Sequence, residues 1–381
     1  MTTPMYPAAE AVAGTVEEYF AIRIAAARQH NPEELAPEPH ARVIEAIIDA
    51  AFWASLRREE GYSPKISLAF LPPEQSRQPL KFERPLPLTP AGLVRLAPAV
   101  ERPGIHLGVW PDNGVDDELR VWGTTRTVPQ LCFVLEVIEP GLLVVKYRRT
   151  QVTGKYVNAL VLNGDQIKLV DEDGTGQLDC PALLTPLLGF GTIGEADEVN
   201  VLVQLAVSMR AHGRGGSLLV VPQGSDAWRE SILPPVQYAV SPPFSELAEL
   251  MRRAPLAKNE PTWQEALIDA VDAIAGLTAV DGAAVITDQY DLLAFGAKIG
   301  RRDGGVRVEQ VVMTEPIVGN VVTAVPPLEL GGTRHLSAAQ FVQDQRDSVA
   351  LVASQDGRFT IFAWSPCEEM VHAHRVETLL M

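Results

Sequence analysis

The sequence predicts an α/β protein, α+β overall, that is built from two domains. Three observations support this: a length of 381 residues, short strand-like segments over residues 104–170, and alternating helical and strand patterns after residue 198. A chain of this length exceeds one typical hydrophobic core. We place the boundary between residues 179 and 195, which gives an N-terminal domain over residues 1–190 and a C-terminal domain over residues 191–381.

The N-terminal domain is predicted to combine helices with an antiparallel sheet. Apolar residues at helical spacing predict helices over residues 8–30 and 39–58, and the proline-rich residues 71–103 predict irregular chain. Turn-forming pairs such as Asn163-Gly164 then separate short β-branched or aromatic runs. These runs predict a meander or a small barrel, and they read IHLGVW, LRVWGT, LCFVLEVI, GLLVVKYR, YVNALVLN and QIKLVDED.

The C-terminal domain is predicted to be a mixed sheet flanked by helices. Helical patterns cover residues 198–211, 243–251 and 262–276, the last with Thr262 and Glu265 as a capping box, and a short helix is expected from Ser337. The strand-like runs between them are SLLVVP, AAVIT, LLAFGAKI, SVALVAS and RFTIFAW. Sheets of this kind bind ligands at strand ends and glycine-rich turns.

Charge and composition exclude several classes of protein. The 48 acidic and 32 basic residues give a net charge of −16, which repels nucleic acid but leaves a small nucleotide free to bind a local group of arginines. The three cysteines are far apart and predict buried thiols in a reducing compartment. Neither a secretion signal nor a long apolar stretch is visible, so we expect a cytoplasmic protein without membrane contact.

Two glycine-containing motifs are candidates for a binding site. Asp281-Gly282-Ala283 leads into the strand AAVIT and can present a carboxylate to a metal or a hydroxyl, although Asp-Gly is commonly only a turn. Gly331-Gly332-Thr333-Arg334-His335 precedes a helix and can direct backbone N–H groups, a hydroxyl and a guanidinium at phosphate. The alternative for the second motif is a surface loop with an ordinary ion pair.

Two further motifs carry weaker predictions. The loop His212-Gly213-Arg214-Gly215-Gly216 could contact phosphate, but an ordinary connection between a helix and a strand is the better interpretation. His372 and His374 have a spacing that could seat a metal, but we expect them in a solvated tail. Signatures of common hydrolases and nucleotide-binding enzymes, such as GxSxG, HExxH and GxxxxGK(S/T), do not occur, and no GxGxxG follows a first predicted strand.

The order of these motifs over residues 195–365 resembles the diadenylate cyclase domain, which carries Asp-Gly-Ala and an Arg-His-Arg motif after Gly-Thr. The helical and β-rich N-terminal half looks like the divergent branch called DACNV, regarded as probable sensors. The resemblance implies a domain that condenses two ATP into cyclic di-AMP, with two domains face to face. It therefore implies ATP or a cyclic dinucleotide as ligand and a homo-oligomer as a possible assembly.

The resemblance also implies roles for single residues. Asp281 would bind Mg²⁺ or Mn²⁺ and help to activate the ribose 3′-hydroxyl, while Gly282 and Ala283 would line the adenine and ribose side. The remaining residues implied to contact the nucleotide are Gly332, Thr333, Arg334, His335 and Ser354. In-line phosphoryl transfer requires a metal-bound nucleophile on one side of the phosphate and positive charge on the leaving pyrophosphate on the other.

Departures from the cyclase pattern predict impaired catalysis. Leu336 replaces the third member of Arg-His-Arg, Gln355 follows Ser354 where active relatives place an acid, and residues 296–331 form a longer segment than is usual. The sequence thus predicts a nucleotide-binding sensor. An active cyclase in which Arg301, Arg302 or Arg214 restores the charge stays open, as does an interaction module without ligand.

Overall fold

The structure is a computed structural model, and it describes residues 5–29, 35–58, 61–112, 118–148, 156–171, 200–257 and 260–381. The chain divides into two compact units, residues 1–170 with Met381 and residues 171–380. The boundary predicted between residues 179 and 195 lies outside the described residues. Both units combine helices with a mixed sheet, which confirms the predicted α/β class.

The N-terminal unit contains three α-helices and eight strands in its described residues. The helices are α1 (Pro7–Arg28), α2 (Ala41–Ser55) and α3 (Pro90–Leu96). The strands are β1 (Ile66–Phe70), β2 (Leu80–Pro87), β3 (His106–Pro111), β4 (Leu119–Thr125), β5 (Val134–Glu139), β6 (Leu142–Arg148), β7 (Tyr156–Asn163) and β8 (Gln166–Leu169). The first two helices confirm the helical patterns at residues 8–30 and 39–58.

The N-terminal sheet differs from the predicted antiparallel meander. Its order is β2-β4-β3-β1-β5-β6-β7-β8, and β1 pairs with β3 in parallel. The prediction was also wrong for residues 71–103, which hold β2 and α3, because prolines are tolerated in an edge strand and at a helix start. Helix α2 contributes to the core of this unit with Ile44, Ile47 and Ile48, which are fully buried.

The C-terminal unit contains five further α-helices and nine strands among the residues described. The helices are α4 (Val201–Ala211), α5 (Glu246–Ala257), α6 (Pro261–Leu277), α7 (Pro327–Leu330) and α8 (Thr333–Asp344). The strands are β9 (Gly216–Val221), β10 (Tyr238–Phe244), β11 (Ala283–Thr287), β12 (Leu292–Ala297), β13 (Val311–Thr314), β14 (Thr323–Val325), β15 (Val349–Ala353), β16 (Phe359–Ser365) and β17 (Met370–Arg375).

One mixed sheet organises the C-terminal unit, as predicted. Its order is β10-β12-β11-β9-β15-β16-β17-β13-β14, with β11 parallel to β9 and β15 antiparallel to β9. Helices cover both faces: α4, α5 and α6 contribute to one core cluster and α8 to the other. Buried residues alternate between these two cores along the central strands β9, β11, β15 and β16.

Three local predictions in the C-terminal unit are wrong. Helix α6 has Glu260 as its N-cap and no side-chain cap, so Thr262 and Glu265 form no capping box. Helix α8 begins at Thr333 rather than near Ser337, with Gly332 as N-cap. His372 and His374 lie buried in β17, not in a solvated tail, because this strand pairs with both β16 and β13.

Helix length and polarity bear on membrane contact. Among the described residues, no helix combines the length and the apolar character that crossing a bilayer requires. Two cysteines are described: Cys132 is buried and Cys367 is exposed. The buried thiol matches the prediction, whereas the exposed one does not.

We predict that Gly108→Ala destabilises the N-terminal unit. An added Cβ would lie 2.1 Å from the Trp122 indole, whose N–H donates to the Leu71 carbonyl at 2.8 Å. Displacing this buried ring should lower the free energy of unfolding by about 1–3 kcal/mol. Urea unfolding followed by tryptophan fluorescence measures the change.

Gly14→Ala is the matched control. Gly14 is an exposed residue of α1, and a Cβ added to it would meet no atom within 4 Å. Alanine should therefore stabilise the helix by about 0.5–1 kcal/mol. Equal unfolding midpoints for the two variants would contradict the packing assigned to Gly108.

Candidate functional site

Four neighbouring strands of the C-terminal sheet begin or end at the same edge of the sheet, beside the predicted motifs. β9 begins at Gly216 and β11 at Ala283, while β12 ends at Ala297 and β15 ends at Ala353. Ala283 pairs with Ala297, and Gly216 pairs with Ala353. Since neighbouring strands lie about 4.8 Å apart, residues just beyond these ends fall within one short row.

Asp281 stands at this edge as an exposed carboxylate. Its side chain is 89% exposed and accepts a hydrogen bond from the ammonium of Lys298, the residue directly after β12. That hydrogen bond and the positive charge of Lys298 hold the pKa of Asp281 below its ordinary value, with a smaller contribution from Arg334. The carboxylate is therefore ionised at neutral pH, and Arg334 lies within its electrostatic range.

Gly282 allows β11 and β12 to approach closely beside Asp281. It has φ of +119°, and a Cβ at this position would lie 2.4 Å from the carbonyl carbon of Gly296. Gly296 has φ of +62° and is covered by the ring of Tyr238, which stacks on Phe295 at 4.7 Å between centroids. Glycine is required at both positions because backbone or ring occupies the space of a side chain.

Ala283 does not face this edge with its side chain. The residue is 1% exposed and belongs to the core cluster on the α8 face. The structure therefore places only its backbone near Asp281. The predicted contact of Ala283 with the base or ribose would therefore involve only its main-chain atoms.

The Gly-Thr-Arg-His motif forms the first turn of α8. Gly332 is the N-cap, with no side-chain cap, and the first turn carries no acidic residue. Gly332 and Thr333 are exposed, and Arg334 is half-buried. An uncapped helix start with exposed glycine and threonine leaves N–H groups and the helix field available to an anion.

The Arg334 side chain extends from α8 to the start of β9, which neighbours β11, the strand that Asp281 precedes. Its Nη1 lies 3.0 Å from the position that a Cβ on Gly215 would take, and the Ala353 carbonyl oxygen lies 3.2 Å from the same position. The nearby carboxylates are engaged elsewhere, Asp281 by Lys298 and Asp356 by Arg358. In the part of the chain that the structure describes, Arg334 thus has no carboxylate partner.

His335 lies inside the unit rather than on its surface. It is 2% exposed, its Nε2 lies 3.4 Å from the Thr360 hydroxyl, and its ring packs edge-on against Phe362. Burial lowers its pKa below the ordinary value, and the neighbouring arginines lower it further against the opposing effect of Asp356. A neutral, buried ring fits a role in positioning the start of α8 better than direct contact with phosphate.

Ser354 opens the turn that joins β15 and β16. Its N–H donates to the Arg358 carbonyl at 2.9 Å, and the Gly357 N–H donates to the Ser354 carbonyl. Gln355 in the same turn donates to the Arg214 carbonyl at 3.3 Å. The turn is thereby held against the glycine-rich loop before β9, and the motif at residues 212–216 joins the site.

The structure separates the three arginines that the sequence suggested as substitutes for the missing charge. The Arg302 N–H donates to Asp344, the last residue of α8, and the neighbouring Gly305 also lies against Asp344. Since α8 rises about 1.5 Å per residue, Asp344 lies about 15 Å along the helix axis from Arg334, and Arg302 is anchored at that opposite end. Only Arg214, directly before Gly215, lies at the correct end of the helix.

The described residues provide few donors for a metal ion. They contain no cluster of three or more His, Cys, Asp or Glu residues with metal-binding geometry. Asp281 offers an exposed, ionised carboxylate at the site. This fits Mg²⁺ or Mn²⁺ held mainly by nucleotide phosphates, which commonly needs only one or two protein carboxylates.

A second polar cluster crosses the N-terminal sheet. The buried His106 contacts the Ser67 hydroxyl at 2.7 Å and the Tyr156 hydroxyl at 2.9 Å, and Lys146 pairs with Glu136 at 2.5 Å. Burial lowers the pKa of His106 to about 4, so the ring is neutral. Every member has a partner within the cluster, which therefore ties neighbouring strands together.

Several residues of the site were not predicted from the sequence. Lys298 and Gly296 belong to it only because antiparallel and parallel pairing bring the strand ends together, whereas Gly215 lies in the glycine-rich loop that the sequence offered as a weaker candidate. The available signal was the run LLAFGAKI, the second strand predicted after Asp281, which has a lysine near its end. Its pairing register with AAVIT could not be taken from the sequence.

Comparison with known proteins finds one matching family. The family described as "Probable sensor domain DACNV" matches residues 33–126, which lie within the N-terminal unit. The match covers well under half of the chain and does not reach residues 195–365, where the cyclase-like motifs lie. No curated protein matches the chain.

We predict that Lys298→Met raises the pKa of Asp281 toward its ordinary value. Lys298 is the main cause of the lowered pKa, and methionine keeps the length of the side chain without its charge. Because a lowered carboxyl pKa stabilises the fold only above the unfolded-state pKa, the variant should also lose some stability at neutral pH and little in acid.

An NMR titration of the Asp281 carboxyl carbon measures this change. Lys81→Met is the control, since Lys81 forms a similarly exposed pair with Glu74 in the N-terminal unit. An unchanged titration midpoint for Asp281 in Lys298→Met would contradict the assigned ion pair.

Proposed function

We propose that the protein is a nucleotide-binding sensor whose C-terminal unit holds the nucleotide at the edge formed by Asp281, Gly215 and Arg334. The observation that carries this proposal is Arg334, a half-buried guanidinium at a helix start without a carboxylate partner among the described residues. Half-buried arginines normally pair with an acid, so this placement suits an external anion.

The phosphate groups would lie between the start of α8 and the start of β9. Exposed Gly332 and Thr333 offer N–H groups and a hydroxyl, and Arg334 adds a forked donor. Gly215 has no side chain to block the approach from the strand side. Local positive charge at this edge offsets the net charge of −16, which would otherwise repel a polyphosphate.

The base would lie on the side of Gly282 and Gly296. Tyr238 is 42% exposed and stacked on Phe295, so a flat aromatic surface borders this end of the row. Aromatic rings provide stacking surfaces that accept any nucleobase. This arrangement places base and phosphates at opposite ends of one edge, with Asp281 between them.

Two observations favour binding over catalysis. Leu336 is packed against the core cluster on the α8 face and provides no charge, and Arg301 and Arg302 lie at the far end of α8. Lys298 also occupies the Asp281 carboxylate, and a divalent metal would have to displace its ammonium group. The probable sensor domain in the N-terminal unit agrees with a protein that reports occupancy.

We predict that Arg334→Ala weakens nucleotide binding by about 10- to 100-fold, the value of one lost charge-assisted contact. Isothermal titration of the full chain with ATP and with cyclic di-AMP measures the effect. Arg302→Ala is the matched control, since it removes an exposed arginine from the other end of α8.

Two results would count against the proposal. If neither nucleotide produces heat with the wild-type protein, the sensor function is wrong. If Arg334→Ala and Arg302→Ala weaken binding equally, the site is not at the start of α8.

One observation favours an active diadenylate cyclase as the second candidate. Asp281 is both exposed and ionised, which suits a carboxylate that binds a metal and activates a hydroxyl. Incubation with ATP and Mn²⁺ or Mg²⁺, followed by mass spectrometry, detects cyclic di-AMP directly.

The sensor proposal predicts no cyclic di-AMP from the wild-type protein. Product that disappears in Asp281→Asn would establish the cyclase instead. Product that persists in this variant would show that Asp281 does not act in the reaction.

A further inference from the structure

Arg358 lies at the same edge of the sheet and has no role in the predicted site. It closes the turn that begins at Ser354, through the hydrogen bond from the Ser354 N–H to its carbonyl. A Cβ on Gly215 would lie 3.3 Å from Gln355 Cγ and 3.0 Å from Nη1 of Arg334. The turn that carries Arg358 is therefore beside the guanidinium of Arg334.

Arg358 is placed near α8 by the strand that follows it. Thr360 lies two residues further along and contacts His335 of α8 at 3.4 Å. Arg358 directly precedes β16, two residues before Thr360, so it lies near the start of α8. Both guanidinium groups also act on the electrostatics of the His335 ring, together with Arg375.

The arginines around this turn differ in how firmly they are held. Arg210 donates to the carbonyls of Gly357 and Leu380 and braces the turn. Arg375 pairs with Glu377 at 2.8 Å, and the Glu377 side chain is only 7% exposed. Both are committed to internal partners.

Arg358 is held only weakly. Its pair with Asp356 measures 3.3 Å, and the two side chains are 48% and 57% exposed. Exposed ion pairs of this kind contribute little net free energy and exchange partners readily. A phosphate bound by Arg334 would present a more highly charged partner beside this turn.

We propose that Arg358 is a second phosphate-binding residue for the linear di- or triphosphate of a bound nucleotide. Its guanidinium would exchange Asp356 for one phosphate while Arg334 holds the neighbouring phosphate. This inference rests on the proposed nucleotide site and specifies its ligand class. Two guanidinium groups on adjacent elements match consecutive phosphates. Nucleoside triphosphates and diphosphates are therefore preferred over monophosphates and over a cyclic dinucleotide, whose phosphates are separate and singly charged.

Titration calorimetry with ATP, ADP, AMP and cyclic di-AMP tests the inference on the full chain. Arg358→Ala should weaken ATP binding by about tenfold and AMP binding by less than about twofold, since one phosphate needs only Arg334. Asp356→Asn keeps the acceptor for the turn but removes the competing charge, so it should strengthen ATP binding by about twofold to fivefold.

The matched controls are Arg229→Ala and Asp226→Asn. These residues form an exposed arginine–aspartate pair at 3.0 Å in the same unit, after the opposite end of β9. Neither control should change ATP affinity.

The outcomes separate this inference from the proposed function. Wild-type protein that binds ATP while Arg358→Ala binds it equally well overturns the role of Arg358 and leaves the nucleotide site intact. Equal losses for ATP and AMP in Arg358→Ala also overturn it, because they indicate a structural effect on the turn. Wild-type protein that binds none of the four ligands overturns both proposals.

Discussion

The candidate site depends on one close backbone contact, between Gly282 at the start of β11 and Gly296 in β12. A Cβ on Gly282 would lie 2.4 Å from the Gly296 carbonyl carbon, so the two strands approach this closely only because Gly282 has no side chain. That approach aligns the strand ends and brings Lys298 onto Asp281. The parallel pairing of β11 with β9 then sets Gly215 beside Asp281, and Gly215 in turn leaves the room that Arg334 occupies.

The local charge at this edge is positive, opposite in sign to the net charge of the whole chain. A protein of net charge −16 presents Lys298, Arg214, Arg334 and Arg358 within a few strand widths, and the carboxylates Asp281 and Asp356 are already paired. Local charge decides whether a small anion binds, since fields from distant exposed acids are screened over about 8–10 Å. The match to the probable sensor family lies in the N-terminal unit and this edge lies in the C-terminal unit, so the two are separate features of the chain.

Local sequence patterns predicted much of the fold but less of the site. Helices α1, α2 and α6 follow apolar periodicity, whereas β10 was missed because its prolines and exposed residues do not resemble a strand. The start of α8 was displaced because Ser337 resembles a cap, although Gly332 serves that role without a side chain. Asp281, Arg334 and, more weakly, Gly215 were found from motifs, but Lys298, Gly296 and Arg358 enter the site through strand register and a turn, which join residues far apart in sequence.

The most direct measurement is a crystal structure of the protein with ATP that carries sulfur on its γ-phosphate, so that anomalous scattering locates the phosphate end. The convergence of strand ends and helix start predicts the sulfur within hydrogen-bonding reach of Arg334, beside Gly215 and on the same edge as Asp281. A sulfur signal at the opposite edge of the sheet, or on the N-terminal unit, would contradict the account.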